Sequence, residues 1–129
     1  MNTTPVKTLD TGTRLAVDRT RLAYERTLMA WVRTATSLIS FGFTIYKLFE
    51  FEAGRNAVAS KPLLSPRQFG VIMIGTGLAA LALASIDHRR NEKRMAAEYG
   101  AADRSVAMAV AVIVSGMGIL ALVAALFRG

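Results

Sequence analysis

The sequence predicts an all-α membrane protein of three transmembrane helices, with an amphipathic N-terminal helix continuing into the first span. Three observations predict it. The 129 residues are 53% hydrophobic, more apolar surface than a soluble domain of this length readily buries. The charges leave three blocks of about membrane-spanning length, roughly 28–49, 69–86 and 106–127. The second and third blocks carry no charge, and the first is broken only by Arg33 and Lys47. Each block is expected to be a helix, because an unpaired backbone finds no water partner in lipid and three strands cannot close a barrel.

Taken in order, residues 1–12 read as a short polar tail containing Pro5, loosely ordered. Residues 13–129 then form one three-helix domain. From Thr13 to Thr27 the chain reads as an amphipathic surface helix that enters the bilayer, with Leu15, Leu22 and Met29 seven apart. Trp31 falls near the expected headgroup level as an interface anchor, and Tyr46 with Lys47 marks the opposite interface. A compact loop follows, holding Gly54, Pro62 and Pro66. Ser65-Pro66 supplies a hydroxyl cap and a proline at the first position of the second helix, where proline sacrifices no bond. The charged stretch Asp87–Glu98 extends that helix, Gly100 ends it, and Asp103 or Ser105 caps the third. Small residues four apart (Ala107, Ala111 and Ser115; Gly75 and Ala79; Ala80 and Ala84) suit close helix packing in lipid.

Residues 19–39 carry a seven-residue repeat. Arg-Thr recurs at 19–20, 26–27 and 33–34, with alanine at 23 and 30 and an aromatic at 24 and 31. Seven residues are nearly two helical turns, so Arg19, Arg26 and Arg33 fall on one stripe drifting by ~20° per step. Arg33 lies five residues beyond Leu28, roughly 7.5 Å deeper at 1.5 Å per residue. Two readings stand for it. It snorkels back to lipid phosphates, or it turns inward to line a polar path or pair with an acid. In a homo-oligomer, one arginine per chain becomes a ring, which favours anions and phosphate. Glu25 stands one turn after Arg21, placed to pair with it or with Arg26 or Arg33 of a neighbouring subunit. Thr20, Thr27 and Thr34 either bond back to the preceding turn or hold phosphate oxygens beside the stripe.

Charge also sets an expected topology. Ten Lys or Arg flank the first and third spans on one side, in the N-terminal segment and the second loop, against four on the other. The N-terminus and second loop are therefore expected in the cytoplasm, with the C-terminus outside. The cluster Arg89, Arg90, Lys93 and Arg94 is a topology determinant that can also bind acidic headgroups or a polyanion. No signal peptide is expected, since the first apolar stretch starts only at Leu28. Cysteine is absent, and the single histidine, His88, cannot build a metal site and reads as interfacial filler. No nucleophile elbow, P-loop, paired histidines or dinucleotide turn is present, so neither catalysis nor a cofactor is expected. Nucleic acid is not an expected partner, because the positive-inside bias accounts for the basic charge.

The segment from Arg19 to Thr34 contains Leu22-Ala23-Tyr24-Glu25-Arg26-Thr27 and, three residues on, Ala30-Trp31-Val32-Arg33-Thr34. This pattern resembles the YidH-type bacterial inner-membrane family, domain of unknown function 202, and the three spans and basic second loop fit it. The same domain is similar to the membrane part of the eukaryotic vacuolar transporter chaperone complex. That complex makes polyphosphate with a separate catalytic domain and passes it through assembled three-helix units. The resemblance implies a multi-pass inner-membrane protein in which Glu25, Arg26, Trp31 and Arg33 lie near a basic vestibule for an anion or phosphate polymer. These 129 residues are not expected to hold a polymerase domain, so a non-conducting structural or adaptor role, or service to an enzyme partner, stands beside that implication.

Overall fold

The computed structural model describes residues 9–53, 55, 65–100 and 104–127. The chain forms three helices: α1 (Thr11–Ala53), α2 (Pro66–Tyr99) and α3 (Val106–Phe127). All three are long and apolar enough to cross a membrane, as the sequence predicts.

The boundaries follow local chemistry. Ser65 caps α2 with its side chain accepting from the Gln68 amide, while the Gln68 side chain accepts from the Ser65 amide, a reciprocal capping box beside Pro66. Gly100 ends α2 at φ 95°, a conformation open to glycine. Ser105 stands before α3 and accepts from the Met108 amide at 3.4 Å. Asp103, the alternative cap, and the expected loop over residues 54 and 56–64 lie outside the described residues. So do residues 1–8 of the expected tail, whose last two positions, Thr11 and Gly12, already belong to α1.

The segment 13–27 continues into the first span, as the sequence predicts. It is the first part of one unbroken 43-residue helix, roughly 65 Å long at 1.5 Å per residue, about twice the hydrocarbon thickness. The charged half of α2 runs alongside. Val17 and Leu28 are buried on this part of α1, and the Arg21 guanidinium donates to the Gly100 carbonyl at 2.7 Å. The apolar residues seven apart, Leu15, Leu22 and Met29, stay exposed, and Val17 and Leu28 on another side of the helix make the packing face. Since α3 is only 22 residues long, α1 and α2 project beyond it as an antiparallel pair.

The α1–α2 register is heptad on both sides. A Cβ at Gly42 would stand 2.8 Å from the Gly70 carbonyl oxygen, and one at Gly70 2.7 Å from that of Gly42. Seven residues back in α1 and seven on in α2, a Cβ at Gly77 would meet the Ala35 oxygen at 3.1 Å. Another seven brings Leu28 and Ala84 to one cluster. Small residues on this seam let the backbones touch, which is how helices associate in lipid without a hydrophobic drive. Helix α3 joins through buried Ala107, Ala111, Gly118 and Ala125, and at Gly118 it meets Ile39 and Leu78 together. Ala107 and Ala111 are buried as their spacing predicts. A Cβ at Gly75 would meet nothing within 4 Å, and Ala79 is exposed, so among the described residues that pair forms no close helix seam.

Candidate functional site: the outward face of α1

The inward positions of α1 define its outward ones. Leu28, Val32, Ala35 and Ile39 are buried. At 100° per residue, Arg26 stands about 200° from Leu28, and Arg33 about the same from Ala35. Arg19, Arg26 and Arg33 are accordingly exposed, on the side of α1 turned away from its own bundle. The stripe does not stop at Arg33. Ser37, Ser40 and Thr44 fall within about 40° of the same line and are also exposed. A polar line therefore runs through most of the first apolar block. The sequence carried the signal as Ser and Thr at positions 4, 7 and 11 after Arg33, but only the buried face fixes their common direction.

The hydroxyls on and beside this line bond back along the helix. Thr20, Thr27 and Thr34 donate to the carbonyls of Ala16, Ala23 and Ala30 at 2.9, 3.0 and 3.1 Å, and Ser37 and Thr44 do the same to Arg33 and Ser40. This is the first of the two readings for the threonines. Their protons are used, so an incoming anion would meet guanidinium donors rather than threonine donors.

The other candidate residues do not converge on the stripe. Glu25 is half-buried on the inward side, toward α2 and α3, and makes no ion pair with Arg21, which turns to Gly100 instead. Arg89, Arg90, Lys93 and Arg94 are exposed on α2. Measured from buried His88, Arg90, Lys93 and Arg94 lie about 140–240° around the helix, away from α1. A single chain thus keeps its two basic sets on different outer faces. Trp31 is 46% exposed, the disposition of a headgroup anchor. Tyr46 is 4% exposed and packs on Gly70, while Lys47 pairs with Glu50 at 2.6 Å. His88 is 4% exposed at the start of the charged stretch of α2.

A family model described as Domain of unknown function (DUF202) matches residues 19–94. The chain belongs to this family. The DUF202 match opens at the first arginine of the repeat, covers the whole polar line and the glycine seam, and closes on the last member of the α2 basic cluster. No curated relative and no solved structure matches the chain. Among the described residues no group of three or more His, Asp or Glu could hold a metal ion.

Proposed function

We propose that this protein is a self-associating inner-membrane protein of bacteria whose assembled α1 helices form a basic path for anions, a phosphate polymer among them, without catalysis. One observation carries the reading: Arg33 and the hydroxyl line beyond it point away from the chain's own helices. An arginine facing lipid costs at most ~3 kcal/mol on insertion scales, less where it can snorkel. Association around the α1 face removes that exposure and converts one guanidinium per chain into a ring selective for anions. The resemblance to the polyphosphate-passing membrane domain supports the same ligand class. Anionic headgroups around the basic ends would hold the assembly in place.

Reconstituted vesicles test the reading. Wild type is expected to leak a small anion faster than Arg33→Ala at matched oligomer content. Equal leak in the two would sink conduction. A second reading rests on the exposed Met29 and Phe41 flanking the stripe, an apolar margin suited to a partner helix. In that reading the protein anchors or assembles a partner and conducts nothing. Arg33→Lys then keeps assembly, and mild-detergent purification recovers a second protein.

A further inference from the structure

The charged end of the bundle holds a cleft that the anion reading does not use. It measures about 500 Å³ and opens where α1, α2 and the start of α3 meet. Its walls carry charges of both signs: Asp18, Arg21 and Glu25 from α1, Glu92 from α2, and Arg104 just before α3. Opposite charges that share a cleft normally close on one another. Here no ion pair within 4.0 Å joins either arginine to any of the three acids, among the described residues. Arg21 spends one donor on the Gly100 carbonyl and keeps the rest of its five N–H groups.

The floor of the cleft is His88, whose side chain is 3% exposed. Glu92 approaches its Nε2 at 3.1 Å without completing a hydrogen bond, and neither ring nitrogen has a hydrogen-bond partner. The ring nitrogens are closed off from the cleft's interior, so His88 forms its floor beneath Glu92 and reports on what binds above it. The rim supplies the other half of the chemistry. Leu22 is 53% exposed and Val106 75% exposed beside the cleft, at the edge of the apolar bundle.

We propose that this cleft binds the head group of a phospholipid carrying both a phosphate and a primary ammonium, that is, phosphatidylethanolamine. An anion alone would face three carboxylates, and a cation alone two guanidiniums. A zwitterion gives each set its partner: phosphate to Arg21 and Arg104, ammonium to Asp18, Glu25 and Glu92. The exposed Leu22 and Val106 receive the first part of the acyl chains. A quaternary ammonium has no N–H to offer the carboxylates, so phosphatidylcholine fits poorly, and phosphatidylglycerol brings only the negative half.

His88 is the only histidine, so its ring resonances in histidine-labelled full-length protein report this cleft alone. In phosphatidylcholine nanodiscs, added phosphatidylethanolamine is expected to shift them saturably, and phosphatidylglycerol is not. Native mass spectrometry of the released protein should retain the same lipid selectively. Arg21→Gln and Glu25→Gln should each lower retention by at least about tenfold, the lower end of what a hydrogen bond to a charged group contributes. Arg14→Gln, an exposed cation outside the cleft, should not. Equal response to the three lipids overturns the proposal, as does a wild-type spectrum indifferent to phosphatidylethanolamine. A shift from free phosphoethanolamine without one from the lipid overturns the lipid assignment in favour of a soluble zwitterion. None of these readouts depends on conduction.

Discussion

At the residue scale, the glycines separate by what surrounds them. Gly42 and Gly70 press backbone on backbone: an added methyl would stand 2.8 or 2.7 Å from the opposing carbonyl oxygen, which cannot move aside as a side-chain tip can. Gly42→Ala is expected to destabilise the α1–α2 pair by about 1–3 kcal/mol, the usual range for overpacking. Gly75 and Gly116 have nothing within 4 Å. Their alanine variants should lose nothing and gain up to about 0.5–1 kcal/mol, the helix-interior penalty of glycine. Thermal melts in one detergent compare the three, and equal losses would contradict the register. Gly118 falls between, since its neighbours are the ends of Leu78 and Ile39. Sequence alone could not sort these glycines. All lie in apolar blocks without a strict G-x-x-x-G, and the seam becomes visible only when Gly42 and Ala35 are set against Gly70 and Gly77 at a spacing of seven.

At the element scale, a helix end is finished by a residue from another element. Arg67 stands in the first turn of α2, where the helix dipole disfavours a cation. Its guanidinium reaches the Ala125 and Leu126 carbonyls of α3, both at 3.3 Å. There the same charge meets the negative end of a dipole and carbonyls with no helical partner. Arg67→Ala is therefore expected to fray the last turn of α3 and not the first turn of α2, which keeps its capping box. Amide exchange across 122–127 should quicken about two- to fivefold, matching the 0.3–1 kcal/mol of such a contact, while exchange at 68–72 holds. Faster exchange at both ends would mean that Arg67 acts on the bundle as a whole. In the sequence this residue reads only as a loop charge. The helices, the Ser65 cap and the Gly100 stop were legible because each is written within a few residues. The Arg67 cap, the Arg21 tie to Gly100 and the burial of His88 join residues up to 79 apart, and local pattern holds no record of them. The packing face of α1 was hidden similarly: Val17 and Leu28 turn inward while Leu15, Leu22 and Met29, the more regular apolar set, stay exposed.

At the scale of the whole molecule, fold and charge make separable statements about orientation. The antiparallel pairing of α1 and α2 places Thr13 and Ala97 toward one end, and Glu52, at the far end of α1, toward the other. All three are exposed, and the chain has no cysteine to confuse a label. Single-cysteine variants at 13, 52 and 97, treated with a membrane-impermeant maleimide in intact cells, read both statements at once. The fold requires 13 and 97 to behave alike and opposite to 52. The ten-to-four excess of Lys and Arg on the N-terminal side further requires 13 and 97 to be protected and 52 to react, because positive loops are retained inside. Labelling of 13 and 97 with 52 protected would keep the fold and reverse the orientation. Labelling that splits 13 from 97 would break the pairing itself. The outcome bears on function, because the arginines of α1 lie in its first half and the hydroxyls deeper. With 13 protected, guanidiniums stand at the cytoplasmic mouth of any path the assembled α1 helices line, placed to gather anions from inside. The reverse orientation would place them to gather anions from outside.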